Sequence, residues 1–514
     1  MFDRSSAQFG MAAFALFLMS GCQPQPERVA SPTASAPSDE ASLHAKLFEK
    51  IDAAIETEMQ DNHIPGVAVV LVQGGETIYK KGYGVANIET GAPVDPDTTI
   101  FRIGSTSKAL SLLALTRLVD EARVSRTDDV SDYFAEIENP MGYTDPVQVE
   151  HLLTHTTGYD QIGYGRQLGG FEYSISERQA ARPSLSEFLG DRNLRRINPP
   201  GAMFRYDTYG PTLAGVILER VTGLSFAEAM QQELFAPLGM TRTSVEVRPE
   251  HESDLAKGHG YVDGAYVTTP YEIYLTPPAS SIDATVADMG RLLEALTGDG
   301  ANAHGRLVSA ETQAKILAPH YQPRAGFAGM SHGLWESLSE GRGPDSTPLR
   351  TLGHGGDMWG FNGSMTLIPE LDLAYYVVAN RNGEGGGPRV KIGGPVMRAI
   401  IETYLPDRTA EPMARPELDP STDLSAYEGV YYWSVFCHTC SAEEFELGAW
   451  RRPDPITVSA EAATLRIDDR VFLPLGDDVF LDSEGYDEIY FKRDEAGTVT
   501  SYSFREDPTT FEKG

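Results

Sequence analysis

F-R-I-G-S-T-S-K-A-L, residues 101–110, sets Ser105 and Lys108 three residues apart where an apolar helix begins. Ala109, Leu110, Leu112, Leu113, Leu115, Leu118 and Val119 continue a helical pattern that is apolar nearly all round. That pattern predicts a helix buried through the centre of a domain. At i,i+3 spacing the two polar side chains share one face, so a lysine desolvated there loses its proton and can take one from the serine hydroxyl. Free N–H groups at the helix start are suited to a developing oxyanion. By composition S-x-x-K arises by chance about once or twice in a chain of this size, so its meaning depends on its surroundings.

With 514 residues the chain exceeds one ordinary core, and two globular units with flexible ends are expected. Its 42 basic and 74 acidic residues give a net charge of −32, which repels phosphate backbones and rules against a nucleic-acid partner. Residues 1–21 read as an export signal, with Arg4, an apolar run over 11–19 and Ser20-Gly21 before Cys22. The apolar run is too short for a permanent span. Small residues directly before Cys22 resemble a bacterial lipobox, which predicts a lipid on Cys22. Gln23 then favours a periplasmic chain held at the outer membrane, with secretion of a soluble chain as the alternative. Residues 22–42 are rich in Pro, Ser and Ala and read as a tether.

Ser42 is placed to cap a helix with Leu43, Leu47, Ile51, Ile55 and Met59 on one face. Residues 67–72 and 77–83, joined by Gln73-Gly74-Gly75-Glu76, predict a hairpin. Helical patterns follow at 151–154, 185–193, 212–222, 226–235 and 286–296, then strands at 363–368 and 374–379 and a helix over 390–404. Strands at both ends with helices between predict a sheet built from first and last segments, with a helical insertion beside it. The main globular part therefore spans 43–404, a Pro-rich linker 405–421, and a small all-β unit 422–514, with strands near 430, 456, 465, 471, 489 and 499. Gly385-Gly386-Gly387 lacks the lysine of a phosphate-binding loop. In C-H-T-C, Cys437 and Cys440 are expected to form a local disulfide, since no thioredoxin-like pattern surrounds them and a lone pair is poor for zinc.

Two further stretches suit a serine–lysine site. Residues 200–208, P-G-A-M-F-R-Y-D-T, place Tyr206 in a turn before a helix, and Gly353-His354-Gly355-Gly356-Asp357 stands directly before a strand. With L-L-T-H-T-T-G at 152–158 and P-A-S-S-I-D-A-T-V-A-D-M at 278–289, these ordered motifs resemble the serine β-lactamase and penicillin-binding-protein-like superfamily, in its branch of class C-like β-lactamases, D-peptidases and esterases. The terminal unit, from Leu424-Ser425-Ala426-Tyr427-Glu428-Gly429, resembles the lipocalin-like barrel appended to some members, with a stabilising or cleft-shaping role.

The resemblance implies an α/β (α+β) fold, an antiparallel sheet flanked by helices plus a mainly helical subdomain, followed by a small β-barrel. It implies Ser105 as nucleophile, with Lys108 and Tyr206 sharing base and proton-shuttle work. His354, Gly355 and Gly356 would line the cleft, and the N–H groups of Ser105 and Asp357 would form the oxyanion hole, worth roughly 3–4 kcal/mol per donor. Two departures bear on substrate. Thr208 stands where the family has asparagine, so an amide is missing. His354 stands where β-lactamases usually carry lysine, so a permanent charge gives way to a pH-dependent one. Both favour a peptidase on small or D-residue-containing peptides, then a carboxylesterase, over a β-lactamase. A rival of another class is a non-catalytic relative that binds peptidoglycan or a protein. No cofactor is implied, nor a metal: His151 and His155 lack the glutamate of a zinc helix. The substrate would be a small molecule or peptide; the oligomeric state is left open.

Overall fold

The computed structural model describes residues 37–135, 137–138, 142–161, 166–167, 182–190, 194–339, 348–383, 390–408, 412–441 and 454–514. The expected signal, Cys22, most of the tether and Gly385-Gly386-Gly387 lie outside the described residues. The chain divides into two compact units, Met1–Ala45 and Lys46–Gly514. A helix runs over Pro37–Asp61, so Ser42 lies inside it rather than capping it.

The second unit is built on an eight-stranded antiparallel sheet. Its order is Met330–Ser331, Leu334–Ser339, Leu349–Met358, Phe361–Ile368, Leu373–Ala379, Gly66–Gln73, Glu76–Asn87 and Ala92–Pro93. First and last segments meet at its centre, where Val70 pairs with Tyr376 on one side and Lys80 on the other. The run 67–72 is continuously apolar because both faces of this strand are covered. Ala68, Val70 and Val72 enter the main core, whereas Val67, Val69 and Leu71 pack with Leu47, Ile51, Ile55, Val396 and Ile400. Fully burying each such valine or leucine contributes about 1.5–3 kcal/mol.

The serine helix, Thr106–Asp120, crosses the main core against the Tyr209–Thr222 and Pro277–Ser280 helices. Helices Val149–Leu153, Leu185–Gly190, Phe226–Met230 and Val286–Thr297 match expected positions, with residues 191–193 of one outside the described chain. The last helix of this part starts at Gly393, not 390, and ends at Tyr404. Leu113 is wholly buried in the serine helix. Leu113→Ala is expected to cost about 2–5 kcal/mol, read from denaturant unfolding, because a packed core closes poorly over a lost side chain.

Residues 429–513 close an eight-stranded barrel, in which Tyr431 on the first strand pairs with Lys513 on the last. Tyr431, Phe472, Phe480, Phe491 and Tyr502 fill its interior. Two of its strands, Val479–Asp482 and Thr510–Lys513, are additional to those read from the sequence.

Candidate active site

Ser105 sits at the mouth of the serine helix because Gly104 turns the chain sharply. Gly104 has φ +55°, a left-handed conformation costly for any residue with a Cβ. A Cβ there would also stand 3.1 Å from the amide nitrogen of Asp357. Ser105 is partly exposed, whereas Lys108, one turn on, is fully buried.

Three buried polar side chains of this helix bind the segment that follows Thr276. Ser111 Oγ donates to the Pro278 carbonyl (2.8 Å), Ser107 Oγ accepts from the Ile282 amide (3.0 Å), and Lys108 Nζ donates to the Ala279 carbonyl (3.0 Å). Buried polar groups thus find partners, and the motif at 278–289 acquires a structural meaning. Lys108 Nζ also lies 3.1 Å from Ser105 Oγ and 4.9 Å from the centre of the Tyr206 ring. Burial pulls the Lys108 amine down to about 7, against the opposing pull of Asp207. At neutral pH about half of the amine is therefore unprotonated and able to accept a proton from a hydroxyl within hydrogen-bond reach.

Tyr206 comes from the loop before the Tyr209–Thr222 helix, as expected. Its ring lies 5.1 Å from that of His155, 5.5 Å from Trp335 and 5.9 Å from His354. Flanking residues anchor the loop. Asp207 accepts from the Gly210 amide, and its other oxygen is 3.4 Å from His155 Nδ1. Arg205, almost fully buried, donates to Asn198, to the Ser434 carbonyl (2.5 Å) and to the Glu512 carboxylate, the last two belonging to the barrel region. Val435, from the same region, packs with Phe204, Tyr206 and Met330.

The structure brings Thr208 to the site, but its polar groups are committed. Gln161 Oε1 accepts from the Thr208 amide (2.9 Å) and Gln161 Nε2 donates to the Thr208 hydroxyl (3.1 Å). Gln161 is itself buried, and its side-chain amide holds Thr208 by both ends. Its signal was slight, a glutamine three residues beyond the glycine of L-L-T-H-T-T-G. Trp335, from the Leu334–Ser339 strand, carried no signal.

The opposite wall requires two corrections. Residues 353–357 do not merely precede the Phe361–Ile368 strand; they themselves lie within the Leu349–Met358 strand, whose glycines lower its strand propensity. A Cβ on Gly356 would stand 2.0 Å from the Ile103 carbonyl oxygen, so glycine is what lets this strand pass over the start of the serine helix. Gly355 is open. Asp357 accepts from Asn382 Nδ2 at 3.1 Å. His354, second, does not supply a charge switched near neutral pH. Burial, reinforced by the nearby Lys108, lowers its imidazole to about 3, and its Nδ1 lies 2.6 Å from the Gly355 carbonyl. It is a neutral wall.

Cys437 and Cys440 form the expected disulfide. His151 Nδ1 accepts from the Gln148 amide at the start of its own helix, and His155 turns toward Asp207. Among the described residues no three His, Cys, Asp or Glu side chains are grouped to hold a metal.

Solved structures share this architecture. The octameric penicillin-binding protein homologue from Pyrococcus abyssi superposes with a TM-score of 0.55 at 23% identity, over 91% of this chain and all of that one, 100%. SurE, also solved with D-Leu, gives 0.61 at 19% identity, over 92% of this chain and 100% of its own. In sequence, Esterase EstB of Burkholderia gladioli is 31% identical over 212 residues, 39% of this chain and 51% of EstB. Protein flp of Staphylococcus aureus (strain MRSA252) is 27% identical over 240 residues, 46% of each chain. The chain spans about half the length of these curated relatives. The Beta-lactamase family matches residues 51–392, the stretch that holds the buried lysine, the tyrosine loop and the glycine-bearing strand, and the chain belongs to that family.

Proposed function

We propose that the protein is a serine hydrolase that cleaves amide or ester bonds through an acyl-enzyme on Ser105. The observation that carries this reading is the fully buried Lys108 amine, brought to about 7 and 3.1 Å from a partly exposed serine hydroxyl. Ser105 Oγ attacks the substrate carbonyl while its proton passes to Lys108 Nζ. The N–H groups of Ser105 and Asp357 receive the oxyanion that forms. Lys108 and Tyr206 return a proton to the leaving group, and water then releases the acyl chain by the same steps.

Small or D-residue-containing peptides are the favoured substrates, in keeping with a similar structure, SurE, solved with D-Leu. Carboxylesters form the second reading, supported by the identity with Esterase EstB and by the neutral wall at His354, which offers no cation to a substrate carboxylate. That same neutrality disfavours β-lactams, whose carboxylate goes unpaired there.

Intact-mass measurement after exposure to a fluorophosphonate, a penicillin and a p-nitrophenyl ester tests the reading. The expected result is a fluorophosphonate adduct on the peptide carrying Ser105, with turnover of the ester; a folded chain that takes no adduct overturns it. Comparing D-alanyl p-nitroanilide with a p-nitrophenyl ester then separates peptidase from esterase, and comparing it with the L-alanyl anilide reports the preferred chirality.

The pH profile carries its own sign. Below about pH 7 Lys108 gains a proton and loses the lone pair that accepts from Ser105. Acylation is therefore expected to fall toward acid with an apparent pKa near 7, approaching tenfold per unit. His354, neutral down to about 3, adds no limb of its own near neutrality. Stopped-flow acylation across pH 5–9 checks this.

A further inference from the structure

One covalently closed turn joins the barrel to the loops that carry Tyr206. It follows the Gly429–Trp433 strand and is tied by the Cys437–Cys440 disulfide. Cys437 packs in the main core around the serine helix, not in the barrel interior. Between the cysteines, the amides of His438 and Thr439 donate to the Asp160 carboxylate at 2.9 and 2.8 Å, and the Thr439 hydroxyl donates to it at 2.6 Å. Arg195 grips the turn from the other side, donating to the Thr439 carbonyl (2.8 Å) and hydroxyl oxygen (2.9 Å).

Asp160 is fully buried and directly precedes Gln161, whose amide clamps Thr208, two residues beyond Tyr206. On the near side of Tyr206, Arg205 is held by the Ser434 carbonyl and Glu512. The far end of the tyrosine loop is thus fastened to the disulfide-closed turn through Gln161 and Asp160, and its near end to Ser434, three residues before Cys437, and to Glu512 on the last barrel strand. A buried carboxylate that loses three donors must recruit others or shift.

We propose that the disulfide-closed turn 437–440 positions the hydrolytic site, with Asp160 as the residue through which it acts. Closure of the disulfide holds Asp160, Gln161 and Thr208 in register and so fixes Tyr206 against Lys108. Opening it slackens the loop and slows acylation without removing any reacting group. This rests on the reading of Ser105 as the acylated residue.

The experiment uses the full chain, oxidised and after dithiothreitol, which gives two electrons and two protons to the disulfide and leaves as its cyclic disulfide. Fluorophosphonate labelling rate, hydrogen exchange of the peptide spanning 205–208, and thermal unfolding are followed together. Reduction is expected to slow labelling by about ten- to a hundredfold, the scale of ångström misplacements. Exchange over 205–208 should quicken in the still-folded chain, and reoxidation should restore both. In Cys437→Ser/Cys440→Ser the slow rate should be present from the start and indifferent to dithiothreitol. Equal labelling rates before and after reduction overturn the proposal. If the reduced chain unfolds, oxidised Asp160→Asn serves instead: slower labelling with faster 205–208 exchange supports the proposal, and a wild-type rate overturns it. Should oxidised wild type take no fluorophosphonate, the hydrolase reading fails, and unchanged exchange over 205–208 on reduction still overturns the positioning role by itself.

Discussion

Ser105→Ala is expected to abolish the covalent adduct and lower turnover of an activated ester by a factor on the order of 10⁶, the scale seen when a serine nucleophile is removed. What makes the variant informative is how little else it disturbs. Ser105 is partly exposed, and its side chain makes no capping bond to the helix it starts. Lys108 keeps its bond to the Ala279 carbonyl and its place against the Tyr206 ring. Unfolding temperature should therefore stay near that of wild type while chemistry disappears. Residual turnover close to wild type would move the nucleophile elsewhere, and a collapse in stability would mean that the hydroxyl supports the fold.

Gly356→Ala is expected to lower acylation by about 10²–10³, the worth of one misplaced oxyanion donor. The added carbon would meet the Ile103 carbonyl oxygen at 2.0 Å and Thr106 Oγ1 at 2.9 Å. The hydroxyl can rotate away; the carbonyl belongs to the backbone that leads into Gly104 and Ser105. Strand and helix start must then separate, carrying the Asp357 amide away from Ser105. Overpacking of this kind also costs about 1–3 kcal/mol. Gly355→Ala provides the contrast, because the nearest atom to its new carbon is 3.9 Å away and its unfolding midpoint should hold. Single-turnover acylation and denaturant unfolding of both variants check the pair. Equal midpoints would show that the strand yields more readily than the geometry implies.

Much of this fold is legible in the sequence because it obeys simple periods. The hairpin from residue 66, the serine helix and the strands before residue 380 each announce themselves by turn residues or by apolar runs. The short barrel strands escape because four residues such as Val479–Asp482 carry no period. The Thr510–Lys513 strand exists through pairing with one some eighty residues earlier, a contact that no local pattern announces. At the site, the candidate residues are visible in the sequence and their environments are not. His354 reads as a titrating group until burial beside Lys108 is known. Thr208 reads as a loss until Gln161 is found clamping it. Asp160 has no motif at all; its role depends on a turn 277 residues away.

The central pairing of the sheet also sets an order of assembly. Gly66–Gln73 and its hairpin partner are made first, yet the strand that completes their buried side, Leu373–Ala379, leaves the ribosome after the whole helical insertion. Until then an apolar strand edge waits unpaired, the condition under which nascent chains associate wrongly. Interruption of synthesis before residue 373 therefore leaves a fragment without the strand that pairs with Gly66–Gln73, and with no way to close its own sheet.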